Sequence, residues 1–227
     1  MPVRHQHSKS NARPSLFMGI SEEDSKAILA EASRKKTLAG QVVISEGDQA
    51  DRFFLLGHGR AKYYRVTKLG DEVLLWSLSS GDAFGLGSLL RHPPHYIGSA
   101  ETTQDSEIYV WDHIVIRNLA RKYPLLAENA LHIVLRYLAA HSDRLVSLIT
   151  ETAEQRLARA LLHLGDESGR ANPLGVEVDA TNEHMGALAN VSPFTASRLL
   201  KKWERSGTVA KSRGKISIHY PEKLVVD

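Results

Sequence analysis

Between about residues 37 and 115 the apolar residues fall in short runs: QVVIS, RFFLL, AKYYRV, EVLLWS, HYIGSAET and SEIYVW. The runs are β-branched or aromatic. Turn signals part them at Glu46-Gly47-Asp48, Gly57-His58-Gly59, Leu69-Gly70-Asp71, Gly81-Asp82 and Pro93-Pro94. Short strands this closely spaced predict a sandwich or jelly roll. Ahead of them, Ser21-Glu22-Glu23-Asp24 resembles a capping box and predicts a helix running to about Ser33.

The period then changes. Leu131, Val134, Leu138, His141, Leu145 and Leu148 recur at alternating steps of three and four, a heptad seam on a helix from about Leu125 to Ile149. A seam this long on a helix leaving a β-domain predicts an interface with a second copy. Packing on the chain's own β-domain is the alternative. His141 is the odd member: a hydrogen-bonded core histidine, or one with a ligand or pH role. Beside its mate in a parallel dimer, burial and repulsion would lower its pKa. A second helix follows in ETAEQRLARALLHLGDE, whose Leu157, Leu161 and Leu164, with Ala158 and Ala160, form an apolar face. GRANPLG breaks the chain, and VEVDA reads as a short strand. The domain hinge is expected near 150–153.

The stretch from residue 179 to 218 carries the most information. Thr181 is placed to N-cap a helix carrying Met185 and Leu188. Ala189-Asn190-Val191 is a tight connector. Ser192 caps the next helix, and Pro193 suits its first position, where no intrahelical N–H is needed. Ala196, Leu199, Leu200 and Trp203 make the buried face. Phe194, Ser197, Arg198, Lys201, Lys202 and Arg205 lie around the other side, and Gly207 closes the helix. TVAKSRGKISI gives two strands around a Ser212-Arg213-Gly214 turn. This is a winged helix-turn-helix by pattern, whose second helix suits the major groove of double-stranded DNA. Arg198 suits guanine, Ser197 can donate or accept, and Phe194 can touch a thymine methyl. Lys201, Lys202, Arg205, Lys211, Arg213 and Lys215 suit phosphates, which set affinity rather than sequence.

Charge supports this division. Residues 181–227 hold eight Lys/Arg and four Asp/Glu, while residues 1–180 hold 21 and 22. A basic segment on a neutral body points to a polyanionic partner for that segment. The absence of cysteine removes disulfides and cysteine-held zinc or iron–sulfur clusters. No run of about 18 apolar residues marks a membrane span. MPVRHQHSKSNARP has no apolar signal region and reads as a polar tail over 1–14, so a cytoplasmic protein is expected. A tail is also the plainer reading of His5 and His7. No nucleophile–base motif, phosphate loop or metal-ligand spacing points to an enzyme.

In this order, the parts resemble the Crp/Fnr family of bacterial transcription regulators, from about Leu16 to Ile218. The marks are Gly40, Gly47, Gly57 and Gly59, then SGDAFGLGSLL, YIGSAET, EQRLARALL and SPFTASRLLKKW. The resemblance implies an α+β chain: an N-terminal β-roll (double-stranded β-helix or jelly roll), a long dimerisation helix and a C-terminal winged helix-turn-helix. It divides the chain into a sensor roll over 15–124, a dimer helix over 125–150 and a DNA-binding domain over 151–227. It implies a homodimer that contacts RNA polymerase.

The sequence also departs from the family. The cyclic-AMP branch holds its nucleotide with a Glu on the ribose and an Arg on the phosphate. Those positions here are Leu86 and Gly98. Loss of a charge-assisted phosphate contact costs about 1.5–3 kcal/mol, so cyclic AMP is not expected to bind in the usual way. The resemblance places His141-Ser142 where the dimer helix meets the ligand. The effector pocket is therefore sought among Phe84, Leu86, Gly98, Ser99, His141 and Ser142, with the effector unknown. For the haem-holding branches His58, His92, His95 and His141 are nominal ligands without a supporting motif. In the reading helix, the oxygen-sensing branch displays a Glu and then Ser-Arg. Ser197-Arg198 keep that spacing beside Ser192 and Thr195, but Phe194 replaces the acid. Two rivals stay open: a constitutive DNA binder with a vestigial pocket, and a haem-based gas sensor.

Overall fold

The computed structural model describes residues 14–224, which divide into two compact units between residues 139 and 140. The tail expected over 1–14 lies outside the described residues apart from Pro14, and His5 and His7 lie outside them entirely.

In the first unit, Ser21 caps α1 (Glu22–Ala30) by accepting from the Asp24 N–H, with Glu22, Glu23 and Asp24 in the first turn. The helix stops short of Ser33 because Ser33–Thr37 opens a strand, β1. SRKKT has no apolar residue, so nothing in its pattern announced it. Among the described residues it pairs only with β8 and is an edge strand, where lysines discourage pairing with another chain. The other strands are β2 (Val42–Ile44), β3 (Arg52–His58), β4 (Arg60–Val66), β5 (Glu72–Ser79), β6 (Ala83–Phe84), β7 (Ser99–Thr102) and β8 (Ser106–Asp112).

They form two antiparallel sheets, ordered β1-β8-β3-β6 and β2-β7-β4-β5. The expected jelly-roll architecture is thus present. Between the sheets lie Ile44, Phe54, Leu56, Leu78, Phe84, Ala100 and Ile108, with Phe54 stacked on Phe84 at 4.9 Å. Phe53, Leu55 and Trp111 face a second core with Leu16, Phe17, Ile28, Ile116, Leu126 and Ile133. Strand β3 therefore buries both faces, which is why RFFLL is continuous rather than alternating. Trp111 Nε1 donates to the Ile28 carbonyl at 2.9 Å, so the indole N–H is satisfied in this core. Helix α2 (His113–Lys122) was not foreseen. It leaves β8 with no turn residue between them, and buries Ile116 and Leu119. Helix α3 (Pro124–Thr150) follows.

In the second unit, α4 (Ala153–Ser168) begins with a capping box between Thr152 and Gln155. Strands β9 (Arg170–Asn172) and β10 (Gly175–Asp179) follow, then α5 (Asn182–Ala189), α6 (Pro193–Arg205), β11 (Val209–Ser212) and β12 (Lys215–Ile218). The sheet order is β11-β12-β10-β9. β9 falls where a simple break was expected. Leu157, Leu161, Met185, Ala196, Leu200, Ile216 and Leu224 are fully buried, but Leu188 is exposed. Thr181 caps α5, and Asn190 turns the chain with φ 53°. A Cβ on Gly186 would stand 2.8 Å from the Val191 carbonyl oxygen, so the turn between the two helices demands glycine there.

Candidate nucleic-acid interface and effector pocket

The outward side of α6 is built from both ends. At its start, the Ser192 hydroxyl accepts from the Thr195 N–H at 3.1 Å and pairs with the Thr195 hydroxyl at 2.9 Å. These two side chains hold the helix N-terminus. Ala196, Leu199, Leu200 and Trp203 anchor the inner face. The other face is an open groove lined by Phe194, Ser197, Arg198, Lys201, Lys202, Arg205 and Ser206. Phe194 is 79 % exposed, so packing against the preceding helix does not explain it.

The cations divide into two sets. Arg198, Lys201, Arg205 and Arg213 are exposed and pair with no acid among the described residues. Lys202, Lys211 and Lys215 are tethered. Lys202 Nζ sits 2.8 Å from both carboxylate oxygens of Glu154. Lys211 Nζ donates to Asn182 Oδ1 at 2.8 Å, and Lys215 Nζ to Glu177 at 2.6 Å. Sequence treated these lysines alike, because their partners lie 29 to 48 residues away. Glu154 also accepts from Trp203 Nε1 at 3.0 Å. The Lys202 ammonium, then the Trp203 N–H and the charge of Arg198, hold its carboxyl below the usual range despite opposing desolvation.

EQRLARALL carries a second polar cluster that sequence reading missed. Arg156 donates to the Glu151 carbonyl at 2.7 Å and to the Ala189 carbonyl at the end of α5 at 3.0 Å. Arg159 pairs with Glu151 at 2.7 Å and donates to the buried Ser147 hydroxyl. The last turn of α3 is thereby fastened to α4, and α4 to α5.

Four of the residues expected to line an effector pocket, Phe84, Leu86, Gly98 and Ser99, lie in the first unit. Phe84 is buried in the core, and Leu86 packs against the second core. Ser99 Oγ accepts from the Glu46 N–H at 3.0 Å. A Cβ on Gly98 would lie 2.8 Å from the Tyr64 carbonyl oxygen and 3.0 Å from Tyr63 Cε1. No arginine enters there without moving backbone. Trp76 meets Tyr137 at 4.5 Å between ring centroids, and the Tyr137 hydroxyl donates to the Ala83 carbonyl at 3.3 Å. Burial pushes the Tyr63 and Tyr96 phenols up to about 12, and the Tyr96 hydroxyl donates to the Arg52 carbonyl at 2.9 Å. These residues do not fit a cyclic nucleotide held by a ribose carboxylate and a phosphate guanidinium. His141 and Ser142 belong to the second unit. Burial, then the charge of Arg144, lowers the His141 pKa.

On α3, Leu126, Ala130 and Ile133 pack against the roll. The heptad residues Leu131, Val134, Leu138, Leu145 and Leu148 are between 42 % and 60 % exposed. Within the first unit, Leu131, Val134 and Leu138 are therefore on a different face from Leu126, Ala130 and Ile133. Of the nominal haem ligands, His58, His92 and His95 are exposed and His141 is half-buried. Among the described residues no group of three or more metal-binding side chains occurs, and no helix is long and apolar enough to cross a membrane.

Comparison with known proteins agrees with this architecture. Residues 34–123 match the family model for a cyclic nucleotide-binding domain, and residues 155–225 that for a Crp-like helix-turn-helix domain. A CRP-like cAMP-activated global transcriptional regulator of Mycobacterium tuberculosis is 26 % identical over 215 residues, covering 94 % of this chain and 96 % of its own. The cyclic AMP receptor protein of Thermus thermophilus is 28 % identical, covering 89 % and 91 %. In fold, the chain resembles the c-di-GMP responsive regulator CLP of Xanthomonas campestris. The TM-score is 0.78 at 17 % identity, over 88 % of this chain and 99 % of that one.

Proposed function

We propose that this chain, which belongs to the Crp/Fnr family of bacterial transcription regulators, acts as a cytoplasmic homodimer reading a palindromic DNA site. Residues 15–124 form the sensor roll, 125–150 the dimerisation helix and 151–227 the DNA-binding domain. The observation that carries this reading is the outer face of α6. There an exposed Arg198 stands among Ser197, Lys201, Arg205 and an exposed Phe194, over a buried inner face.

Two copies joined along Leu131, Val134, Leu138, His141, Leu145 and Leu148 of α3 would place their α6 helices in successive major grooves about one turn apart. Arg198 reads a guanine and Ser197 a neighbouring base edge. Phe194 makes apolar contact where a related branch uses an acid. Lys201, Arg205 and Arg213 contact phosphates, and Lys215 at the wing does so on release from Glu177. Ser192 and Thr195 reach the backbone from the helix start, where N–H groups favour phosphate. RNA polymerase is the protein partner.

The effector is not cyclic AMP, because Gly98 and Leu86 leave its phosphate and ribose without partners. A second reading, a regulator that binds DNA without any effector, is favoured by the Trp76–Tyr137 contact and the closed approach to Gly98. Selecting bound duplexes from a random pool tests the first claim. The expected product is a two-fold symmetric consensus with half-sites about one helical turn apart. Repeating the titration with dialysed metabolite extract separates the two readings: equal affinity with and without extract supports the second.

A further inference from the structure

The first turn of α4 holds an acid against α6. Glu154 takes the Lys202 ammonium with both oxygens at 2.8 Å, and Trp203 Nε1 fixes the same carboxylate at 3.0 Å. The Glu154 side chain is 25 % exposed, whereas that of Lys202 is 64 % exposed. Lys202 lies one helical turn beyond Arg198 on the groove face.

We propose that Glu154 is an internal competitor of the DNA backbone, withholding Lys202 from phosphate and so setting how strongly affinity depends on salt. This rests on the reading of α6 as the recognition helix. A phosphate and a carboxylate compete for one ammonium. For Lys202 to reach DNA it must leave a carboxylate that stays charged and is only a quarter exposed, with Trp203 alone still donating to it among the described residues. That exchange gives up a two-point charge-assisted contact that holds the ammonium. Glu154 also acts by its charge on Arg198, and so lowers the positive potential beside the base-reading residue. Non-specific binding depends on phosphate neutralisation almost alone, so an acid placed here weakens it more than it weakens base readout. Glu154 is thus a determinant of specificity that touches no base.

The experiment is a salt titration of the full-length protein on its selected duplex and on a scrambled one, from 50 to 200 mM KCl. Glu154→Gln keeps an oxygen for the Trp203 N–H and removes the charge. It is expected to steepen the slope of log affinity against log salt by about 0.9 per head, or about 1.8 for a dimer. Over this fourfold salt range that is about a twelvefold larger loss of affinity. Binding to the scrambled duplex is expected to tighten more than binding to the selected one. Lys202→Gln alone is expected to leave the slope unchanged, and Lys202→Gln combined with Glu154→Gln to return it to the wild-type value. An unchanged slope in Glu154→Gln overturns the proposal. So does a flattened slope in Lys202→Gln alone, since that lysine would already be reaching phosphate. A wild-type protein that binds no duplex overturns the recognition-helix reading, and the proposal with it.

Discussion

A Cβ on Gly98 would stand 2.8 Å from the carbonyl oxygen of Tyr64. The position that resembles the phosphate-binding arginine of cyclic-AMP receptors is therefore glycine in identity and closed by backbone in space. Titration calorimetry with cyclic AMP is expected to show no micromolar binding. Gly98→Arg is not expected to restore it, because the new side chain meets Tyr63 and Tyr64 first. Micromolar binding by the wild type would contradict this account of the pocket.

Phe194 offers a cleaner separation of fold from readout. At 79 % exposure it contributes little to the core, so Phe194→Glu is expected to change stability by no more than about 0.5 kcal/mol. Base preference at one position of each half-site is expected to change, with cytosine favoured by the new acceptor. Thermal denaturation and sequence selection measure the two effects separately. An unfolded variant would revive a packing role.

Leu138 stands 60 % exposed in the middle of the heptad seam. Leu138→Glu puts like charges at the centre of the proposed two-fold interface. Sedimentation is expected to show monomers at micromolar concentration, and binding to the full site is expected to fall to that of a single half-site. A variant that remains dimeric would move the interface elsewhere.

The Glu154 carboxyl also makes a pH prediction. Its folded pKa lies below its ordinary value of 4.5, chiefly because of Lys202. A depressed carboxyl contributes stability that is present above the unfolded pKa and is lost as pH falls through the folded one. The stability gap between wild type and Glu154→Gln is therefore expected to be full at neutral pH and to close as pH falls below 4.5. Denaturant melts across that range measure it. A gap that stays constant in acid would mean that the clamp depends on shape rather than charge.

Much of this arrangement was legible in the chain. The runs RFFLL and AKYYRV, the Ser192-Pro193 cap and the Ala196/Leu199/Leu200/Trp203 face announce their elements, because period and capping are local signals. β1 escaped because an exposed edge strand needs no apolar residue. α2 escaped because Asp112 ends β8 and starts the helix with no turn between them. At the candidate interface, residue types were readable but their partners were not. Lys202 looked like Lys201 until Glu154, 48 residues earlier, was found on its ammonium. The same holds at the roll. The sequence shows a glycine at 98, but only the fold shows Tyr63 and Tyr64 against it.

The central claim, that α6 reads DNA through Arg198, is tested most directly by selecting bound sequences with the wild type and with Arg198→Ala. The account predicts a palindrome with one guanine per half-site whose preference is relaxed in the variant, at a cost of about 1–3 kcal/mol in binding. A variant that selects the same consensus with undiminished preference would contradict it.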